Sequence, residues 1–158
     1  MDSETRKLVL DSFGAASQQL QAVLDATDPA KWHMTPAPNE WSIRQIIFHI
    51  ADSEANYYLR LRKAIAEPGG VVVAYDQNLW DNSLAYEDRS TDEALALFRL
   101  LRASSYRLLA QLPEKTWSNP VQHSERGRLT LEDLLLGSVS HIAEHIQQIE
   151  SNTKSSSR

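Results

Sequence analysis

The sequence predicts an all-α protein, a four-helix bundle, on three observations. Four segments of about five or six turns repeat apolar residues at three- and four-residue spacing. The connections between them contain proline, and there is no internal repeat or strand-rich region. Four amphipathic helices bury their apolar stripes most economically against one another. We therefore predict one bundle domain over residues 1–151, followed by a disordered polar tail, residues 152–158.

The first two helices are predicted over residues 3–26 and 42–66. Asp2 places negative charge at the start of the first, where the helix dipole favours it. The second begins with the pattern of a capping box, in which Ser42 caps the helix and Gln45 reaches back to the cap backbone.

The last two helices are predicted over residues 90–112 and 130–151. Capping-box patterns begin at Ser90 and Thr130. Pro113 ends the earlier of the two helices, because proline cannot continue a helical hydrogen-bond ladder.

The long connection over residues 67–89 is predicted to contain a short extended run at 71–73 and a helical turn near Tyr75 and Trp80. A connection of this length in a compact domain is typical of a lid or a pocket wall. An aromatic cap over the core is the other interpretation that the residues leave open.

Two histidines lie outside the predicted helices. His33 is in a proline-rich loop, and His123 is in a turn-rich stretch, residues 114–128, whose two short runs could form a loose hairpin. Both are predicted to be surface residues rather than metal ligands.

The composition narrows the class of protein. Hydrophobic residues at 42% and charged residues at 23% are typical of a soluble globular domain. The formal net charge of -5 and the lack of a basic cluster argue against a nucleic-acid partner. No apolar run is long enough for a membrane span, and the acidic first residues do not resemble a signal peptide, so we expect a cytoplasmic protein. The absence of cysteine excludes thiolate ligands and a cysteine nucleophile.

Three helical histidines form a candidate metal site. His141 and His145 lie four residues apart, so both rings project from one helix face. At ~100° per residue, these two and His49 of the second helix lie at the margins of their apolar stripes, where an ion could keep an open coordination position. Separate roles for the three histidines are the alternative that spacing alone leaves open.

The positions of these histidines along their helices predict the relative direction of the second and fourth helices. At about 1.5 Å per residue, His49 lies ~10 Å into its helix, whereas His141 and His145 lie ~17 to 22 Å into theirs. The levels coincide if the second and fourth helices are antiparallel. That arrangement requires an up-down-down-up order, with the connection over residues 67–89 as a crossover along the bundle.

Several motifs together resemble the DinB/YfiT-like superfamily over nearly the whole chain. They are Trp41-Ser42-Ile43-Arg44, His49-Ile50-Ala51-Asp52-Ser53-Glu54, Tyr75-Asp76 with Trp80, and His141 and His145 with Gln148-Ile149. The resemblance implies a divalent metal, zinc or nickel, held by His49, His141 and His145. It also implies a homodimer, and its better understood members are transferases and isomerases that act with mycothiol or bacillithiol.

Four further side chains are candidates for supporting contacts or for the pocket wall: Ser53, Gln148, Tyr75 and Trp80. Ser53 follows His49 by one turn, and Gln148 follows His145 by about one turn and could bond its imidazole. Glu144 is predicted to be solvated and Asp52 is ambiguous. Ordinary surface chemistry is the alternative for Ser53, Gln148 and these two carboxylates.

These features predict a metal-dependent enzyme with a small-molecule substrate. Three neutral imidazoles would leave the charge of the ion uncompensated, so it could bind a thiolate or lower the pKa of bound water. The leading prediction is thiol-dependent transfer or isomerisation, with a low-molecular-weight thiol as cosubstrate. A metal-dependent hydrolase and a non-catalytic metal-binding dimer of the stress response are the alternatives. The lack of an obvious glutamate base beside the ligands counts against hydrolysis.

Overall fold

The computed structural model describes residues 1–155, which form a four-helix bundle with a small sheet at one side. The α-helices are α1 (Ser3–Asp25), α2 (Ile43–Ala66), the short α3 (Gln77–Ser83), α4 (Thr91–Leu109) and α5 (Leu131–Ser155). The strands are β1 (Val71–Val72), β2 (Pro120–His123) and β3 (Gly127–Thr130). Short 3-10 helices occur at Pro29–Lys31, Tyr86–Asp88 and Glu114–Ser118. The predicted all-α bundle is confirmed.

Local hydrogen bonds explain where the long helices begin. Ser42 and Gln45 form the full predicted capping box at the start of α2. Thr130 and Asp133 form the same reciprocal pair before α5, with both backbone N–H groups bonded to the other residue's side chain. Ser90 accepts the backbone N–H of Glu93 at 3.3 Å, which caps α4 without the reverse bond. Each such cap stabilises its helix by roughly 1 kcal/mol.

Helices α2 and α5 are antiparallel, as the histidine levels predict. Near the start of α2, the carbonyl of Trp41 accepts a hydrogen bond from the Asn152 side chain, close to the end of α5. Nearly two turns into α2, His49 meets His141, which lies farther back along α5. The residue numbers therefore rise in one helix as they fall in the other.

Contacts of the other helices complete the topology. Arg6 and Thr27, at the two ends of α1, contact Glu132 and Thr153, at the start and the end of α5, so α1 and α5 are parallel. On α2 and α4, residue numbers also rise together, because Glu54 pairs with Arg102 and the later Arg62 bonds Ser104. The order is up-down-down-up, with α2 and α1 each packed between α4 and α5.

The crossover from α2 to α4 contains β1, α3 and the 3-10 helix Tyr86–Asp88. An extended run and a helical turn are both present, as predicted. Arg44 of α2 fixes the end of this segment, because its guanidinium donates to the carbonyls of Tyr86 and Glu87, at 2.6 and 2.9 Å, and to that of Arg89.

The predicted hairpin over residues 114–128 is confirmed as antiparallel β2 and β3, and β1 pairs with β2 in parallel. The prediction that His123 is a surface residue is wrong, because its side chain is buried at the end of β2. Its Nδ1 accepts the backbone N–H groups of Glu125 and Arg126, at 3.2 and 3.3 Å, which stabilises the hairpin turn. Burial lowers the pKa of His123, and the nearby Arg60 and Arg126 add to that effect.

The end of the bundle differs from the prediction of a disordered tail from residue 152. Helix α5 continues to Ser155, and Asn152 is buried because its carboxamide donates to the carbonyl of Trp41. The remainder of the predicted tail, residues 156–158, lies outside the described residues.

Two clusters of buried apolar side chains fill the bundle. One includes Ile46, Ile50, Phe98 and Ile142, and the other includes Phe13, Leu61, Leu109 and Leu135. Between the two clusters along their helices come the polar residues Glu54, Arg102 and His141, of which Glu54 and Arg102 form an ion pair at 2.6 Å. None of the described helices is long and apolar enough to cross a membrane.

Candidate metal centre

The structure brings the three predicted histidines together between α2 and α5. The Nε2 atoms of His49 and His141 are 2.9 Å apart, and those of His141 and His145 are 3.2 Å apart. One ring nitrogen from each of the three residues lies within 4.8 Å of the others. Among the described residues, no carboxylate joins this group.

The local fold explains why these nitrogens converge. His141 and His145 are stacked one turn apart on α5, with ring centroids separated by 4.5 Å. The antiparallel α2 presents His49 at the same level. His49 is more deeply buried than its place at the margin of a stripe predicts, with 5% of its surface exposed, whereas His141 and His145 are half-buried.

Two of the nitrogen separations match those expected around a single divalent ion. Metal–nitrogen bonds of about 2.0–2.1 Å place two ligand nitrogens roughly 2.9 to 3.3 Å apart, from octahedral to tetrahedral geometry. The observed separations of 2.9 and 3.2 Å fall in that range. Three imidazoles are a donor set that suits zinc or nickel and leaves positions for other ligands.

Burial keeps these imidazoles neutral at physiological pH. Desolvation, with the neighbouring imidazoles His145 and His141, lowers the pKa of His49 to about 3. Desolvation, His145 and two nearby arginines lower the pKa of His141 to about 3. For His145, burial also lowers the pKa, although Gln148 and Glu144 partly offset it. Neutral imidazole is the form that binds a metal ion.

Two side chains contact the Nδ1 atoms of the histidines, on the side of each ring opposite the cluster. Gln148 Oε1 lies 2.9 Å from His145 Nδ1, so the tautomer that donates from Nδ1 directs the Nε2 lone pair into the cluster. The hydroxyl of Tyr75 lies 3.3 Å from His49 Nδ1 and contacts that ring on the side away from the cluster. Gln148 and Tyr75, both predicted as supporting residues, therefore contact the cluster directly.

Ser53 and Trp80 lie one contact farther out. Ser53 is buried, and its side chain acts on the Tyr75 hydroxyl to lower the pKa of that phenol. The Trp80 ring packs on Tyr75, with 4.5 Å between the centroids. Burial is the main reason that the pKa of Tyr75 is raised to about 12, so the phenol stays protonated at neutral pH. The crossover thus supplies an aromatic wall over His49.

The other predicted polar candidates do not reach the cluster. Glu144 is exposed and accepts a hydrogen bond from Ser140 at 2.9 Å. Asp52 accepts one from the Tyr86 hydroxyl, and burial raises the pKa of its carboxyl. His33 is exposed, as predicted.

Two aromatic residues at the site were not predicted there. Trp41, which directly precedes the cap of α2, has its ring 4.8 Å from that of His49 and stacked at 6.3 Å on that of His145. The ring of Tyr57, on α2, lies 6.2 Å from that of His141. Trp41 precedes the helix, so no helical periodicity places its ring.

A family model described as the DinB superfamily matches residues 12–149 of the chain. The match includes all three histidines and Gln148.

Relatives align with much of the same region. A protein of Halalkalibacterium halodurans named "Putative metal-dependent hydrolase" is 29% identical over 139 residues, which are 86% of this chain and 81% of that protein. YfiT of Bacillus subtilis, which carries the same description, is 28% identical over 110 residues, 69% of this chain and 62% of that protein.

Solved structures share the fold. YfiT from Bacillus subtilis, reported to have "an unusual four-helix bundle topology", superposes with a TM-score of 0.90 at 21% identity and covers 98% of this chain and 89% of its own. TT2238, reported as a four-helix bundle protein, has a TM-score of 0.66 at 21% identity and covers 92% of this chain and 98% of its own.

Proposed function

The chain belongs to the DinB superfamily, and from that premise we propose that it is a metal-dependent enzyme whose ion is held by His49, His141 and His145. The proposal depends on one observation: three imidazole rings converge, with nitrogen atoms separated by distances typical of metal ligands. All three rings are neutral, and each is buried or half-buried. Zinc or nickel, which the family resemblance implies, is the ion that we propose, and imidazole ligands suit both.

A bound ion of this kind would act as a Lewis acid that lowers the pKa of a coordinated water or thiol. The protein side chains have separate roles. Gln148 selects the tautomer of His145, and Tyr75 holds the orientation of the His49 ring. Trp41 and Tyr75 exclude water from two sides of the cluster, which strengthens electrostatic interactions inside it.

Hydrolysis is the reaction class that we place first. Its support is the description of the relatives as metal-dependent hydrolases, one of them matched over 81% of its length. The substrate would be a small molecule, because the histidines lie between helices, under the aromatic wall of the crossover.

Thiol transfer or isomerisation, which the family resemblance implies, is the second candidate. The specific observation in its favour is that no carboxylate of the described residues lies in the histidine group to act as a general base. A thiol cosubstrate would need less help from a base, since thiols ionise near pH 8.5. The chain has no cysteine, so the thiol would come from a low-molecular-weight cosubstrate.

One set of assays separates the candidates. The purified chain, stripped with a chelator and reloaded with zinc or nickel, would be tested on activated esters and amides, and on an electrophile with several low-molecular-weight thiols. His141→Ala is the test variant, and His33→Ala, at an exposed position, is the matched control. Hydrolysis that needs the metal and His141 supports the first class, and metal-dependent thiol transfer alone supports the second. Metal binding without either activity favours a non-catalytic metal-binding protein.

The homodimer and the cytoplasmic location expected from the sequence stay predictions. Light scattering on the eluted protein would test the dimer.

A further inference from the structure

One turn before His141 on α5, cationic and hydroxyl groups cluster beside Gly137. A methyl group placed on Gly137 would lie 3.1 Å from the Tyr57 hydroxyl and 3.7 Å from Arg126 Nη1. The absence of a side chain at Gly137 thus leaves room for both polar groups beside the backbone of α5.

Arg60 joins this cluster from α2. It follows His49 by eleven positions, which returns it to the same face of the helix. Its Cζ lies 5.6 Å from the Tyr57 ring centroid, and its Nη2 donates to the carbonyl of Val73 at 2.6 Å. Its Nε is buried and has no hydrogen-bond partner among the described residues. The guanidinium is therefore anchored at one nitrogen while other donors stay available.

Arg60 and Arg126 differ from arginines elsewhere in the protein that pair with a carboxylate. Arg6 and Arg102 each have a carboxylate oxygen within hydrogen-bond distance, at 2.7 and 2.6 Å. Within residues 1–155, no carboxylate oxygen lies within 4.0 Å of a side-chain nitrogen of Arg60 or Arg126. Glu125 and Asp133 act on this region only from longer range.

The electrostatics of this cluster favour an anion. Burial is the main cause that lowers the pKa of Arg60, and the positive charge of Arg126 adds to it, although Tyr57 and Tyr75 oppose it. Burial raises the pKa of Tyr57, so its hydroxyl remains a donor at neutral pH. Two guanidinium groups and a phenol, without a carboxylate partner at contact distance, offer the donors that carboxylate and phosphate oxygens accept.

We propose that Arg60, Arg126 and the Tyr57 hydroxyl form an anion subsite that holds a carboxylate or phosphate group of the substrate. This inference rests on the proposed function and narrows its substrate class to small anionic molecules. Gly137 is one turn from His141, so the anionic group would lie ~6 Å along the helix axis from the histidine level. The Tyr57 ring is 6.2 Å from the His141 ring and lines the path between the two.

The test measures binding of inorganic phosphate and, separately, of acetate by calorimetry, using the full chain and its His141→Ala variant. Arg126→Gln is the primary variant, because Arg126 is exposed and its loss leaves the core intact. Arg128→Gln is the matched control, since it removes the same charge from an exposed position of the same hairpin. Tyr57→Phe and Arg60→Gln test the other two donors, with circular dichroism to verify folding.

The subsite predicts saturable binding of at least one anion, weakened at least tenfold by Arg126→Gln and unchanged by Arg128→Gln. Tighter binding of phosphate would identify a phosphate-bearing substrate, and tighter binding of acetate a carboxylate-bearing one. No saturable binding, or equal affinities in Arg126→Gln and wild type, would overturn the proposal.

Measurements of anion binding and of metal content can reject the two proposals separately. Metal retained by a chain that binds neither anion would reject the subsite alone. Anion binding that depends on Arg126 in a chain that takes up no zinc or nickel would reject the metal-dependent function alone.

Discussion

Two groups of polar residues on neighbouring turns of α2 are buried, and they differ in whether opposite charges are paired. Glu54 and Arg102 face each other at 2.6 Å with almost no exposed surface, so each buried charge has a partner. His49, five residues before Glu54, meets two other imidazoles, and no carboxylate within residues 1–155 joins them. Burial favours the neutral form of both groups, because it raises the pKa of Glu54 and lowers the pKa of His49. The groups differ in what opposes it: the charge of Arg102 acts against burial at Glu54, whereas the neighbouring imidazoles add to the effect of burial at His49.

The difference distinguishes a structural polar group from a binding site. The charges of the ion pair neutralise each other, although Glu54 Oε1 and Arg102 Nε and Nη1 are buried without a hydrogen-bond partner among the described residues. The histidine cluster instead directs several uncharged acceptors at one point. A cation is the partner that such a group lacks. The pair therefore contributes to the stability of the fold, and the cluster to metal binding.

The largest expected effect comes from breaking the ion pair. Glu54→Gln leaves the Arg102 guanidinium buried without a counter-charge, and we expect a loss of about 3–5 kcal/mol in the free energy of unfolding. The matched control is Lys7→Gln, which breaks an exposed ion pair with Asp11 and should cost less than about 1 kcal/mol. Urea denaturation measures both. Equal small losses would show that the interior pair is not a structural unit.

The next effect concerns the support of the histidines. Gln148→Ala removes the group that orients His145, and we expect zinc affinity to fall by roughly 10- to 100-fold while the stability of chelator-treated protein changes little. Gln147→Ala, at the neighbouring exposed position, is the control. Competition with a chromogenic chelator measures the affinities. An unchanged affinity in Gln148→Ala would remove this side chain from the site.

The smallest effect is at the exposed cap of α5, which lies outside both buried groups. The Thr130 hydroxyl and its backbone N–H lower the pKa of Asp133 below its ordinary value. Stability from this group is therefore present above the unfolded pKa of about 3.9 and lost as pH falls through the lower folded value. Asp133→Asn should cost roughly 1 kcal/mol or less at neutral pH and should flatten the acid limb of the stability curve. An acid limb identical to that of wild type would contradict this assignment.

Much of the fold and the three histidines could be predicted from the sequence. Helical periodicity and caps locate α1, α2, α4 and α5. The positions of His49, His141 and His145 along their helices predict that α2 and α5 are antiparallel. These signals are local, or depend only on positions along straight helices. They can therefore be interpreted without knowledge of tertiary contacts.

The residues that were missed depend on contacts between distant segments. Trp41 reaches the histidines from a loop, and the burial of His123 follows from the pairing of β1 with β2. The extra turn of α5 past residue 151 depends on the bond between Asn152 and the Trp41 carbonyl. No periodicity in one segment encodes such contacts.

The most direct test of the metal centre is a crystal structure of the protein grown with zinc, with anomalous data collected at the zinc edge. The three-histidine site predicts one strong peak at about 2.0–2.1 Å from the Nε2 atoms of His49, His141 and His145. It also predicts no such peak at this position in His141→Ala crystals grown in the same way. A wild-type structure with no zinc between these rings, or with zinc held only by other residues, would contradict it.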